Sequence, residues 1–178
     1  MNKLLISLAL ILGFSGVAHA NIMIEPYLGY ETGKNTDPDG KTSGTVIGGR
    51  LAYKAPVMFW AGLDGAFETG TNKPDSNALT NSDFKRTTLY AVVGVDLPIL
   101  FRVWAGYGFS DELKLETTPS MKGTGTNYKF GLGFTALPFV SLNAEYIKGK
   151  LTGGDIHDNF PDAQNESVVL SVSLPLVF

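Results

Sequence analysis

The last twelve residues, Ser167 to Phe178, constrain the chain most. Val168, Leu170, Val172, Leu174, Leu176 and Phe178 share one phase of a two-residue period. Ser167, Ser171 and Ser173 fall in the other, with Val169, Pro175 and Val177. Strict alternation marks a strand with one wholly apolar face. At about 10–12 residues it is long enough to cross a membrane as a tilted strand, and longer than an average soluble one.

The rest of the mature chain repeats this pattern. Ile22–Glu31 sets Ile22, Ile24, Leu28 and Tyr30 against Met23, Glu25, Tyr27 and Gly29. Comparable strands are predicted over residues 44–53, 58–68, 85–96, 100–110, 126–136 and 140–148, making eight with the last. The fifth carries a pattern that could continue through Asp111 to Glu116. Short turns built on Ala55-Pro56-Val57, Leu97-Pro98-Ile99 and Leu137-Pro138-Phe139 alternate with long polar stretches, Thr32–Ser43 and Thr69–Phe84 among them. The spacing is that of successive hairpins, and proline suits such turns because it needs no ladder partner.

The N-terminus reads as a secretory signal. Lys3 precedes an apolar run from Leu4 to Phe14 and an Ala18-His19-Ala20 cleavage site. Residues 1–20 are therefore assigned to the signal peptide and 21–178 to one domain. Loss of Lys3 takes the formal net charge from −3 to −4, which argues against nucleic acid as a partner. There is no cysteine, so an exported domain must find its stability without disulfides.

Volume decides which face is outside. Eight strands with some five large apolar residues each carry roughly forty bulky side chains, and an eight-stranded barrel has no room inside for so many. The other face carries Gly48, Gly62, Gly94, Gly106, Gly108, Gly131 and Gly133, which suits a crowded interior. The apolar face then meets hydrocarbon, and the sheet must close because no strand edge can be left open in lipid. Tyr53, Phe59 and Phe101 lie near the short-turn ends. Tyr30, Phe67, Tyr107, Phe109, Tyr128 and Tyr146 lie near the other ends. Two aromatic girdles are what membrane barrels show.

On these features the chain resembles the small eight-stranded outer-membrane barrels of Gram-negative bacteria, of the OmpA-membrane-domain and OmpX/Ail type. The likeness covers the whole mature chain. It implies an integral, monomeric barrel of the cell outer membrane with periplasmic termini and four long outer loops. It also implies lipopolysaccharide and membrane lipid as surroundings, with a surface ligand open to the loops. In that family an aromatic C-terminus preceded by alternating apolar residues is read by the barrel-assembly machinery, a role that would fall here to Val172, Leu174, Leu176 and Phe178. Pro175 departs from the pattern and predicts local fraying or a bulge.

The inward phase collects Glu25, Arg50, Asp64, Glu68, Arg86, Asp96, Arg102, Lys129 and Glu145. Buried charges must pair or hold water. The expectation is a salt-bridge network that plugs the lumen, with a narrow gated pore and a catalytic carboxylate pair as alternatives. Catalysis otherwise has little to draw on. The one mature histidine, His157, has no serine beside it in sequence, so a Ser/His lipid-modifying enzyme is not expected. Asp37-Pro38-Asp39-Gly40 reads as a turn rather than a calcium loop. No metal or cofactor is expected. The leading function is surface interaction or membrane integrity, the alternative a narrow channel for small solutes.

Overall fold

The computed structural model describes residues 21–178 apart from 57, 77–79, 99, 118 and 138. The signal-peptide reading concerns residues 1–20 and lies outside the described residues. Eight long strands run β1 (Asn21–Thr36), β2 (Gly40–Lys54), β3 (Phe59–Pro74), β4 (Ser82–Asp96), β5 (Phe101–Glu116), β6 (Met121–Leu137), β7 (Val140–Gly153) and β8 (Gln164–Ser173). A short helix, α1 (Asp155–Asn159), precedes β8, and a two-residue strand, β9 (Leu176–Val177), follows it. Each of β1 to β7 pairs antiparallel with the next strand and β1 also pairs with β8, so the sheet closes; β9 pairs with β1.

The two faces separate as the alternation predicts. Leu132, Val93 and Leu170 are exposed on the outside, with Ile47, Leu63 and Phe130. Trp60, Tyr90, Val92, Trp104 and Val169 are buried within. Two outward aromatic pairs lie on the β5–β6 seam, Phe101 with Phe134 at its short-turn end and Tyr107 with Tyr128 near its middle, each with centroids 5.3 Å apart.

The strands are longer than expected at one end. Residues rise about 3.3 Å each, so a sixteen-residue strand such as β3, tilted as in small barrels, spans about 40 Å. That exceeds an apolar band of about 25 Å. The polar stretches 32–43 and 69–84, expected as loops, are mostly paired strand that projects beyond the band. Threonines such as Thr42 and Thr71, β-branched and hydrogen-bonding, keep the ladder going there. The connections at this end are residues 37–39, 75–81, 117–120 and 154–163. Asp37-Pro38-Asp39 is a turn, as predicted.

β5 does continue to Glu116, but it changes face on the way. A bulge between Gly108 and Asp111 shifts its register with β6. Beyond it Asp111, Leu113 and Leu115 turn inward while Glu112, Lys114 and Glu116 are exposed. A bulge adds one residue and reverses every side chain that follows.

Pro175 causes no bulge. β9 resumes the β8 register against β1, with Ser173 opposite Tyr27 and Val177 opposite Met23. Ile22 and Phe178 exchange both backbone hydrogen bonds, and the Leu174 N–H donates to the Pro26 carbonyl. By alternation Pro175 is a non-hydrogen-bonded position towards β1, so its nitrogen points to the β7 side. There the ladder has already ended at Ser141–Ser173. The regular strand is interrupted at residues 174–175, but the missing donor falls where no acceptor strand continues.

Candidate functional site: the charged lumen

The centre of the barrel is built around Arg50. Its neighbours across the sheet are Glu25 on β1 and Asp64 on β3. The guanidinium donates to Glu25 at 3.0 Å, to Asp64 at 2.9 and 3.1 Å and to Glu145 at 3.2 Å. It lies between two indoles, 4.6 Å from the Trp104 ring centroid and 5.3 Å from that of Trp60. Lys129 adds a second cation, 2.7 Å from Asp64 and 3.4 Å from Glu145, over the face of Tyr90 at 4.1 Å. Tyr27 donates to Asp64, Ser173 to Glu25 and the Trp104 indole N–H to Glu145.

Towards the short-turn end the network continues outward. Arg102 donates to Glu25 at 2.7 Å and to Asp96 at 3.2 Å, and Lys54 also pairs with Asp96. Of the nine inward charges expected, Asp96 is the one that is only half-buried, because it sits at this mouth. In this centre and mouth, Glu25, Asp64, Asp96 and Glu145 meet Arg50, Lys54, Arg102 and Lys129, and every one of the eight has an ion-pair partner.

Glycine makes the space. A Cβ on Gly131 or Gly94 would overlap the Trp104 or Trp60 indole, and one on Gly48 would overlap the Tyr27 ring. The inward glycines of β2, β4 and β6 thus form the slots in which these rings lie.

The loop-end chamber has different chemistry. Arg86 makes a bidentate pair with Asp111, both distances 2.7 Å, and donates to Asn165 at 2.9 Å. Thr88 also donates to Asp111, at 3.1 Å. Glu68 is the cross-strand neighbour of Arg86, and Glu31 lies close to Glu68. Both glutamates are buried, and one oxygen of each has no hydrogen-bond partner among the described residues. Above them Leu151, Ile156 and Ala163 pack with Leu113, Leu115, Met121 and Phe160, which seats α1 against the β6–β7 side of this end.

Sequence reasoning brought Glu25, Arg50, Asp64, Glu68, Arg86, Arg102, Lys129 and Glu145 to the interior, and the structure buries all eight. It missed Glu31 and Asp111. Glu31 closes the predicted first strand in the inward phase of Glu25 and Tyr27, so the alternation itself could have revealed it. Asp111 became legible only with the bulge. His157 lies on α1, and its Nδ1 has no partner among the described residues.

The remaining expected residues lie outside. Tyr30, Phe59, Phe67, Tyr107, Phe109, Tyr128 and Tyr146 are exposed, while Tyr53 and Phe101 are half-exposed. Val172, Leu174, Leu176 and Phe178 are exposed on one face of β8 and its continuation.

A closed sheet with an apolar exterior and an enclosed charged lumen defines a class. The fold is that of the integral, eight-stranded β-barrels of the bacterial outer membrane. Solved structures share it. The attachment invasion locus protein Ail of Yersinia pestis, in complex with the heparin analogue sucrose octasulfate, aligns with a TM-score of 0.61 at 17% identity, over 88% of this chain and 99% of that one. A second structure of Ail gives 0.60 at 18% identity, over 89% and 100%. Neisserial surface protein A, NspA, gives 0.52 at 13% identity, over 87% and 97%. No protein-family model matches the chain, and no curated protein sequence matches it. At these identities the likeness is one of fold.

Proposed function

We propose that this chain is a non-conducting outer-membrane scaffold, delivered by its N-terminal signal, whose lumen charges act as a plug. Its loop end then serves surface contact or envelope integrity. The observation that carries this reading is the balanced centre: four acids and four bases, all ion-paired, with two indoles filling the space between. A permanent pore would need some of these groups to face water rather than each other. In this reading the outward Tyr and Phe residues act as girdles at the two interfaces. Val172, Leu174, Leu176 and Phe178 carry the assembly signal.

The partner it fits best is the phosphorylated lipid of the outer leaflet. Lys34, Lys41 and Lys73 lie side by side on β1, β2 and β3, and Lys85, Lys114 and Lys122 on β4, β5 and β6. All six are exposed on the outer surface, on the loop-end side of the girdle. Like charges placed directly across a sheet repel. A ring of anionic headgroups such as lipopolysaccharide phosphates would relieve this. Lys85 already leans on Glu116 and Lys148 on Glu166.

Planar-bilayer recording tests the plug. The purified barrel is expected to show no steady open level. A steady wild-type conductance that changes in Arg102→Ala would replace the scaffold with a narrow solute channel.

A further inference from the structure

The loop-end chamber does not balance its charge. Glu31, Glu68 and Asp111 face one cation, Arg86, which is already committed to Asp111 through two hydrogen bonds. The contrast with the neutral centre is confined to this end. Directly above lies a cavity of about 90 Å³, with Glu31, Asp37, Thr42, Arg86 and Lys150 among its polar lining, the exposed Lys150 ammonium being paired with Asp162. Phe84, Leu113 and Ile156 are among its apolar walls. The volume is on the order of three water molecules, the size of a four-carbon amine. Two unpartnered oxygens belong to residues lining it: Glu31 Oε2 and, separately, Thr42 Oγ1, on residues 1% and 7% exposed.

The geometry points to a binding site for a small organic ammonium ion with a short apolar body, a ligand that the scaffold reading does not include. The ammonium donates to Glu31 and to the Thr42 hydroxyl oxygen, so that excess negative charge and the two orphaned acceptors of the lining are answered together. The alkyl portion lies against Phe84 and the wall that the β5 bulge turns inward. A metal ion suits the site less well, since no group of three or more ligating side chains is gathered among the described residues and the walls are apolar. The site lies above the ion-paired centre, so it does not depend on whether the lumen conducts.

Calorimetric titration of the mature barrel in nanodiscs with n-butylammonium chloride tests this, with n-butanol and butyrate as probes of the same length. Saturable one-to-one binding of n-butylammonium is expected, with the alcohol and the carboxylate at least about tenfold weaker. Glu31→Gln, which removes a charge, and Ala163→Leu, which fills the apolar side, are each expected to weaken binding about tenfold or more. Glu112→Gln, on the exposed face of β5, is expected to bind as wild type. Heat-modifiable gel mobility establishes that each variant is folded, and Thr42→Val substitutes for either of the first two should one fail to fold. Absence of saturable binding would overturn the proposal. Equal binding of n-butanol, or undiminished binding in folded Glu31→Gln, would overturn it as well.

Discussion

Arg50→Ala is expected to destabilise the folded barrel by about 3–5 kcal/mol, the cost of leaving buried charges without their partner. Arg50 is the cation shared by Glu25, Asp64 and Glu145, all of them buried. Lys129 reaches two of those carboxylates and Arg102 the third, but neither can occupy the slot between the indoles. Urea unfolding in detergent, followed by the heat-modifiable shift on gels, measures the loss. Lys85→Ala removes a salt bridge of the same nominal kind from the exposed face. It is expected to leave the midpoint unchanged, because exposed pairs contribute little. Equal effects of the two substitutions would mean that the lumen is not the dry, low-dielectric space described above.

Gly131→Val should have an effect of similar size for a steric reason. The added Cβ would overlap the Trp104 indole. To escape, the ring must leave its slot, breaking its 2.7 Å bond to Glu145 and its stacking on Arg50. Overpacking alone costs about 1–3 kcal/mol, and the lost charged hydrogen bond adds about 1.5–3. The expected total is about 3–5 kcal/mol in the same unfolding assay. Gly49, on β2, is the counterexample on the outer face of the wall. It points outward, and a Cβ there meets nothing within 4 Å. Gly49→Ala should stabilise the barrel by about 0.5–1 kcal/mol, by restricting the unfolded chain.

The difference between these two glycines also shows what could be read from sequence. A two-residue period assigns each position to a face as long as the register is unbroken. That is why eight of nine inward charges were found fully buried and why Gly131 was placed inside. The period carries no information on where pairing stops, so residues 32–36 and 40–43 were taken for loop although they are paired strand. Polar and threonine-rich sequence looks alike in a loop and in a strand projecting into water. Bulges are equally silent. The one beside Gly108 has no composition of its own, yet it delivers Asp111 to Arg86 and turns Leu113 and Leu115 into the wall of the loop-end cavity. Pro175 misled for the opposite reason. A proline's effect depends on which neighbour its nitrogen faces, and that is known only once the strands are in register.

The central claim is that the apolar side of every strand meets acyl chains while the charged and glycine-rich side is enclosed. The chain's two tryptophans, Trp60 and Trp104, are both buried in the lumen, 6.4 Å apart, so their fluorescence tests the claim. In bilayers of brominated lipids, wild-type emission should be largely unquenched, whereas Leu132→Trp should add a strongly quenched component. Wild-type indoles quenched as fully as the residue-132 reporter would mean that the faces are reversed.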